Sequence, residues 1–423
     1  MRQRLLATAI ATALLAGLVT ACGAGDAADS KIHLTIATFG EFGYEDLLKQ
    51  YQTEHPNIVV TQHKVGQAAP HHKELFTKLA AGSGLDDIEA IEEGYRAQVM
   101  AKSDKFNDLS KIGPADAGPD RWLPWKYEAG KSKDGKLIGY GTDIGPLAMC
   151  YRTDMLQTAG LPSDPDGVKA LFASWQTYFD AGKTYVQKTG KPWFDTSTQI
   201  FNAMHNQHDV GYFDQSDNLV VASNPDIKKD WDAVTQAIAD KESAKLVSFG
   251  NEWQAGFKTS AFATTVCPAW MLGSIEQNSG PDNKGKWAVS SAFPDGGGNW
   301  GGSYLTVPLQ SQHPKEAAEL AAWLTAPQQQ IKAFVAKGPF PSQVQALQSP
   351  ELQNTTNAYF ADPKTGALYA ELAKKLTKAQ YKGPADGQIQ DDVFAPALQA
   401  VEQGKSATDG WQQAVAGAQK AAK

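Results

Sequence analysis

The clearest chemical candidate in the chain is an aromatic ring inside a glycine-rich loop, Trp300 within residues 296–302. Five of these seven residues are glycine, and such a loop cannot easily build a core around a tryptophan. An indole ring exposed in a cleft can stack on the flat C–H faces of a sugar, while amide and carboxylate side chains bind its hydroxyl groups. We therefore predict that Trp300 contacts a ligand. Its neighbour Asn299 either reaches a hydroxyl or holds the turn.

The same loop contains the spacing Gly296-x-Gly298-x-x-Gly301, which matches a dinucleotide-binding fingerprint. That site needs a strand before the loop and a helix after it, because the helix N-terminus binds the pyrophosphate. Here the loop leads into residues 304–307, a predicted strand, and no Gly-Lys-Ser/Thr follows. The sequence therefore excludes both a dinucleotide site and a P-loop.

The elements that must position this loop begin with a β-α-β-α-β pattern. Alternating apolar residues predict strands over 32–37, 58–63 and 87–91, separated by helices over 46–51 and 71–81. This order is typical of a parallel sheet covered by helices. Ligands bind such sheets at the carboxyl ends of the strands. Glu92 and Glu93, after the third strand, and Phe42, after the first, are therefore candidate ligand contacts.

The second half of the chain predicts a longer series of elements. The pattern predicts one helix over 167–189, a strand over 259–267, a helix over 269–277, and strands over 286–292 and 303–308 on either side of the glycine loop. About 400 residues follow the N-terminal segment, more than one hydrophobic core can serve, so two domains are expected.

The N-terminus reads as an export signal. Arg2 and Arg4 precede a short apolar run that ends in Leu-Val-Thr-Ala-Cys, and this ending resembles a bacterial lipobox. The resemblance implies a signal peptide over 1–21, lipid attachment at Cys22 and a flexible tether over 22–30, which would hold the protein at the extracellular face of the cell membrane. The alternative is an ordinary signal peptide in which Cys22 is incidental.

The charge of the chain limits its classes of partner, and its cysteine content limits the disulfides it can form. Without residues 1–21 the chain carries 37 basic and 46 acidic residues, which argues against nucleic acid and against anionic membrane surfaces as partners. Two cysteines remain, Cys150 and Cys267. Outside the cytoplasm they could form a disulfide, and two buried free thiols are the alternative.

Several strings together resemble extracellular solute-binding proteins of the maltose-binding type. The resemblance is carried by GTDIGPLAMCYRTDML from Gly141, FATTVCPAW from Phe262, and the segments 316–334 and 338–342. The strings CPAWMLG, GGGNWGGSYLTVP and AAELAAWLTAPQQQIKAF look like the cellobiose- and cello-oligosaccharide-binding lipoproteins of actinobacterial ABC importers.

The resemblance implies an α/β periplasmic-binding-protein-like fold of two discontinuous lobes joined by a hinge. One lobe would comprise residues 31–142 with 303–340, the other residues 143–302 with 341–423. Ligand binds between the lobes, and the closed form docks on a membrane permease. The glycine loop would then be part of the hinge. A monomer without cofactor or metal is expected.

The resemblance also adds site residues. It implies a stacking role for Trp270, a cleft-facing position for Asp143, and a return of the C-terminal tail to the cleft with Gln388 and Asp391. Trp193 precedes a segment used in the second lobe, and core packing is its alternative, as it is for Trp270. A turn role is the alternative for Asp143.

Two other classes compete with a binding protein. A secreted glycoside hydrolase would need two carboxylates flanking a bond, for which Glu92, Glu93 and Asp143 could be nominated. A metal site could use His205, His208 and Asp209, or the pair His71 and His72, although exposed histidines are usually only solvated.

Overall fold

The computed structural model describes residues 31–423, so the predicted signal peptide, the tether and Cys22 lie outside the described residues. The strands are β1 Ile32–Phe39, β2 Ile58–Val65, β3 Ile88–Glu92, β4 Gly139–Gly141, β5 Asp143–Ile144, β6 Met149–Arg152, β7 Thr264–Val266, β8 Trp287–Ser290, β9 Ser303–Thr306 and β10 Phe340–Pro341.

The helices surround these strands. They are α1 Glu45–Glu54, α2 Ala68–Ala81, α3 Arg96–Met100, α4 Leu109–Ile112, α5 Pro124–Ala129, α6 Thr153–Thr158, α7 Gly167–Leu171, α8 Trp175–Thr189, α9 Ser197–His205, α10 Pro225–Ala239, α11 Asn251–Thr259, α12 Met271–Ser279, α13 Pro314–Leu324, α14 Pro327–Lys337, α15 Val344–Gln348, α16 Pro350–Gln353, α17 Thr365–Ala373, α18 Asp386–Ile389, α19 Ala395–Glu402 and α20 Ala407–Ala421. In the described residues no helix is long and apolar enough to cross a membrane.

The first lobe is built on a five-stranded sheet in the order β2-β1-β3-β9-β4. β1 pairs in parallel with β2 and β3, as the β-α-β-α-β pattern predicts, whereas β9 runs antiparallel to β3 and β4. Leu34 and Ile36 of β1 and Leu47 of α1 lie in its core. Both helices occur where the apolar spacing predicts them, and Gly82 ends α2.

The second lobe is built on the antiparallel sheet β7-β6-β8. Its largest core gathers Met149 and Tyr151 of β6 together with Phe201, Tyr212 and the C-terminal helices. A further core surrounds Cys150, Cys267 and Trp287. Mixed helix and sheet in two lobes confirm the predicted fold class.

Two predicted elements are wrong. The single helix over 167–189 is broken between α7 and α8, because Ser174 caps a new helix: its hydroxyl accepts from the Thr177 amide while the Thr177 side chain accepts from the Ser174 amide. This capping box satisfies amides that the first turn of a new helix would otherwise leave without partners. The strand over 259–267 is also too long. Residues 251–259 form α11, which buries Trp253 and Phe257, and only 264–266 extend.

The connections between the lobes converge on one backbone carbonyl, that of Gly141. It accepts hydrogen bonds from Trp122 Nε1 (2.7 Å), Gln330 Nε2 (2.9 Å) and Ser342 Oγ (3.2 Å). Immediately after it, β5 pairs with β10, and the Thr142 amide donates to the Ser303 carbonyl. The three segments that pass between the sheets therefore lie side by side.

The two cysteines form a disulfide and are not free thiols. Cys150 on β6 and Cys267 after β7 form a disulfide with a sequence separation of 117, and both are fully buried. The bond joins the strand that follows one crossover to the turn that carries Trp270.

We expect the double variant Cys150→Ala/Cys267→Ala to lose about 2–4 kcal/mol of unfolding free energy, because opening so long a loop restores entropy to the unfolded chain. Denaturant unfolding followed by circular dichroism measures this. Wild-type protein that has been unfolded, reduced and refolded under reducing conditions is the control, since it loses the bond but keeps both sulfur atoms. Unchanged midpoints in both samples would contradict the expectation.

Candidate functional site

The end of β3 carries the first group of polar side chains between the lobes. Glu92 is the last residue of the strand, and its Oε2 accepts from the Gly94 amide at 2.6 Å. Burial raises the pKa of Glu92 to about 8, with Lys382 of the second lobe opposing the shift and Asp391 adding to it. The charges of the C-terminal tail therefore act on the edge of the first sheet.

Glu93 is held inside the first lobe by two cations. Its Oε1 accepts from Arg96 Nε at 3.0 Å, and its Oε2 lies 3.7 Å from Lys126 Nζ. Burial would raise the pKa of Glu93, but Arg96 and Lys126 outweigh it and the pKa is lowered. The Lys126 ammonium also lies 3.8 Å from the centre of the Tyr304 ring. Burial lowers the pKa of Lys126.

Asp143 faces this charged group from the crossover. Its Oδ1 accepts from Thr142 Oγ1 at 2.5 Å and from the Ser303 amide at 2.9 Å. Burial raises the pKa of the Asp143 carboxyl, and the charge of Lys126 opposes that shift. Asp143 thus lies where the lobes join, and its oxygen holds the turn, which was its alternative role.

The C-terminal tail supplies the opposite side. Tyr95 Oη donates to Asp391 Oδ2 at 2.7 Å. Lys382 Nζ donates to Asn206 Oδ1 at 3.0 Å and to Gln380 Oε1 at 2.8 Å. Gln388 lies half-buried on α18, close to Asp391 in the chain. The structure therefore brings the tail segment to the end of β3.

Aromatic rings line the neighbouring part of the second lobe. Half-buried Trp270 and buried Trp300 have ring centres 6.0 Å apart and nearly perpendicular, and Trp270 Nε1 donates to the Trp300 carbonyl at 3.2 Å. The predicted exposure of Trp300 is wrong, because its ring packs into the largest core of the second lobe. The Phe249 ring lies 6.1 Å from Trp270. Gln67, at the end of β2 in the first lobe, donates from Nε2 to the Phe249 carbonyl at 3.5 Å.

The glycine loop is a bridge between the lobes. Asn299 Oδ1 accepts from the Gly145 amide at 2.8 Å, and its Nδ2 donates to the Gly301 carbonyl at 3.1 Å. Gly302 has a φ of +95°, and a Cβ there would lie 2.5 Å from the Asp143 carbonyl oxygen. Only glycine tolerates both constraints. Asn299 therefore holds the turn, which was its alternative role.

Two aromatic candidates lie in the lobe cores. Trp193 is fully buried against Tyr178 and Tyr185, so core packing, its alternative, is what the structure has. Phe42 is buried in the core of the first lobe, with its ring 5.2 Å from Phe39.

The histidine candidates are engaged in contacts within the fold. His208 Nε2 bonds Asp230 at 2.7 Å, and His71 Nε2 bonds the Ala90 carbonyl at 2.7 Å. His205 is stacked between Phe201 and Tyr212. Within residues 31–423, no three His, Cys, Asp or Glu side chains are grouped to hold a metal ion.

Sequence reasoning missed residues that come to the site from several elements. Gln67 and Tyr95 could have been found, because both follow strands at the carboxyl edge that singled out Glu92. Lys126 on α5 and Lys382 before α18 gave no signal, since their approach depends on how the lobes pack. The members missed are Gln67, Tyr95, Arg96, Lys126, Phe249 and Lys382.

Comparison with known proteins supports the architecture. A family model of bacterial extracellular solute-binding proteins matches residues 46–361. The chain is 28% identical over 331 residues to an arabinooligosaccharide-binding protein of Bacillus subtilis (strain 168), covering 74% of this chain and 73% of that protein. It is 26% identical to a lactose-binding protein of Rhizobium radiobacter, covering 68% and 67%.

Solved structures agree with the fold. A crystal structure of an extracellular solute-binding protein of family 1 is 46% identical and superposes with a TM-score of 0.82, covering 93% of this chain and all of that one. An ABC-transporter-associated binding protein from B. animalis subsp. lactis Bl-04, in complex with β-1,6-galactobiose, has a TM-score of 0.77 at 19% identity, covering 92% and 96%.

We expect Glu92→Gln to gain stability relative to wild type as the pH rises. In the folded protein the Glu92 pKa is about 8, against 4.5 for the ordinary group. Between these values the folded carboxyl keeps a proton that the unfolded one has lost, so this group lowers wild-type stability as the pH increases. Glutamine does not titrate.

Denaturant unfolding of both proteins at pH 5 and pH 8 measures the effect. The difference in unfolding free energy should grow by at least about 1.4 kcal/mol, the equivalent of one pK unit. Carboxyls that do not interact with Glu92 titrate alike in both proteins and cancel in the difference. Glu54→Gln, at an exposed position of α1, is the control. The prediction is contradicted if the stability difference between Glu92→Gln and wild type changes between pH 5 and pH 8 no more than the difference for Glu54→Gln does.

Proposed function

Because this chain belongs to the bacterial extracellular solute-binding proteins, we propose that it is the substrate-binding component of an ABC importer. It binds an oligosaccharide between its two lobes and delivers it to a membrane permease. The relatives support a sugar ligand, since their names specify arabino-oligosaccharide and lactose.

The observation that carries the proposal is the meeting of aromatic and polar groups between the lobes. Half-exposed Trp270 and Phe249 belong to the second lobe, and Gln67 of the first lobe contacts the Phe249 backbone. Glu92, Lys382 and Asp391 lie in the same junction. Rings for C–H faces next to carboxylates, amides and an ammonium are the combination that a sugar requires.

The finer proposal is a β-linked gluco-oligosaccharide such as cellobiose or cellotriose. It rests on the strings CPAWMLG and GGGNWGGSYLTVP, which resemble cello-oligosaccharide-binding lipoproteins. A xylo- or malto-oligosaccharide is the alternative, because the named relatives bind sugars of different composition and linkage. Of the predicted ligand contacts we propose Trp270, Glu92 and Gln388, of which Trp270 and Glu92 have the strongest support. Trp193, Trp300 and Phe42 pack in the lobe cores, and Asn299, Glu93, Asp143 and Asp391 are engaged by other groups of the protein.

The cellular setting is part of the same proposal. The lobes divide at 142/143, 302/303 and 340/341, and the protein is a monomer anchored by lipid at Cys22 on the extracellular face of the membrane.

Ile331 and Phe334 of α14 pack into the core around the disulfide, whereas Ala333 packs into the first-lobe core. This helix is therefore shared between the lobes at the hinge.

Hydrolysis of the sugar is disfavoured by the contacts of two of the three nominated carboxylates, which leave only Glu92 for a reaction that needs a pair. Glu93 is paired with Arg96 and Lys126, and Asp143 accepts hydrogen bonds from Thr142 and Ser303. A glycosidase needs one carboxyl that can donate a proton and a second that can attack or activate water. These two carboxylates are instead engaged in holding the junction.

We expect calorimetric titration with a panel of α- and β-linked di- and trisaccharides to give saturable binding, tightest for cellobiose or cellotriose. Chromatography of the same mixtures should recover every sugar intact. Tightest binding of another oligosaccharide would correct the sugar and leave the importer role in place. Failure of the whole panel to bind, or release of shorter sugars, would overturn the proposed function.

Trp270→Ala should weaken binding of the preferred sugar by about tenfold or more, because it removes a stacking surface that contributes on the order of 1 kcal/mol beyond buried area. Calorimetry measures the affinity, and the unfolding midpoint should change little. Trp323→Ala is the matched control, since Trp323 is also half-buried but packs on Tyr51 in the first lobe. Equal affinity of both variants would show that the sugar lies elsewhere.

A further inference from the structure

The two lobes are in direct contact at a place that involves no ligand. There, Gly94 and Tyr95 of the first lobe meet Gly387 and Asp391 of the second. The Tyr95 hydroxyl donates to Asp391 Oδ2 at 2.7 Å. A hydrogen bond to a carboxylate is shorter and about twice as strong as a neutral one. Beside it the two backbones come together: a Cβ on Gly387 would lie 3.0 Å from the Gly94 carbonyl oxygen and 3.0 Å from the Tyr95 ring.

Tyr95 is fixed within its own lobe before it reaches across. Its ring stacks on His72 of α2, with centres 4.1 Å apart and planes 9° from parallel. His72 is oriented in turn by two backbone contacts: its Nδ1 donates to the Ala68 carbonyl at 2.7 Å, and its Nε2 accepts from the Glu92 amide at 3.1 Å. The hydroxyl is therefore positioned without help from the second lobe.

Asp391 is fixed equally well on the other side. It lies in the π-helical turn Gln390–Phe394 between α18 and α19. Phe394 of that turn stacks on Phe201 at 5.0 Å and on Tyr212 at 4.8 Å, inside the second-lobe core. Two rigid bodies thus present matching groups, so forming the contact orders few side chains.

Another direct bond between the lobes is an exposed ion pair, which is a weaker type of interaction. Lys133 Nζ lies 2.5 Å from Asp217 Oδ2, but the lysine side chain is 84% exposed. Exposed ion pairs contribute little because water and salt screen them. The part-buried bond at Tyr95 is therefore the stronger of these two.

We propose that Gly94, Tyr95, Gly387 and Asp391 form an interlobe latch, which sets sugar affinity by stabilising the closed arrangement rather than by touching the sugar. The inference rests on the proposed function, since it concerns closure over the same junction. Apparent affinity scales with the population of the binding-competent arrangement. Tyr95 is then an affinity-determining residue, and Asp391 is the latch acceptor.

The test compares Tyr95→Phe, which removes only the hydroxyl, with wild type. A hydrogen bond to a charged acceptor is strong enough that its loss should shift the ratio of closed to open protein by about tenfold. If the sugar-free protein is mostly open, cellotriose affinity by calorimetry should fall by about that factor, because the closed fraction falls tenfold. If the sugar-free wild type is mostly closed, the change should appear instead as a larger radius of gyration in small-angle X-ray scattering without sugar.

Two matched controls separate the latch from general damage. Tyr359→Phe deletes a hydroxyl that donates to the Gly280 carbonyl at 2.6 Å within one lobe. Gly387→Ala should act like Tyr95→Phe because its methyl group wedges the backbones apart, whereas Gly118→Ala, where nothing lies near the added carbon, should be silent.

The outcomes are distinct. Loss of affinity in Tyr95→Phe but not in Tyr359→Phe supports the latch, whether or not the scattering of the free protein changes. If Tyr95→Phe matches wild type in both measurements, or if Tyr359→Phe changes them equally, the latch is wrong. If the wild type does not bind cellotriose while Tyr95→Phe still expands in scattering, the proposed sugar is wrong and the latch stands.

Discussion

The carbonyl of Gly141 is the point on which the two lobes depend. A buried backbone carbonyl must be hydrogen-bonded, and this one is bound from α14 by Gln330, from the segment before α5 by Trp122, and from the third crossover by Ser342. Each donor belongs to a different part of the chain. These hydrogen bonds therefore join the crossover segments to one another, independently of the side chains that face the junction between the lobes.

Charge balance follows from that convergence. The crossover turns away from Gly141 at Asp143, a carboxylate that cannot be buried without nearby cations or donors. Lys126 supplies the positive charge between Asp143 and Glu93, while Ser303 supplies an amide. Glu93 and Asp143, the carboxylates at the root of the junction, thus stabilise the architecture, whereas Glu92 has a raised pKa and lies within reach of the charges on the C-terminal tail.

Sequence reasoning succeeded where the determinants are local. The alternation of apolar residues in Ile32–Phe39 indicates a strand, and the helical spacing in 71–81 indicates a helix. The strand that follows the glycine loop excludes a nucleotide site. It failed where a local cap overrode a periodic pattern, as Ser174 does in the middle of a predicted helix. It also failed where approach depends on packing, since nothing near Lys382 or Lys126 in the chain shows that each will lie among the carboxylates of the junction. Trp193 shows the same limit, because a tryptophan in a plausible segment has no periodicity that separates cleft from core.

The disulfide has a consequence for geometry as well as for stability. Cys267 lies three residues before Trp270, and the bond fastens it to β6, which continues from the crossover. The aromatic surface of the second lobe is therefore an extension of its sheet and cannot shift independently of it. Because disulfides form and persist in oxidising compartments, the link between this surface and β6 depends on the redox conditions in which the chain folds.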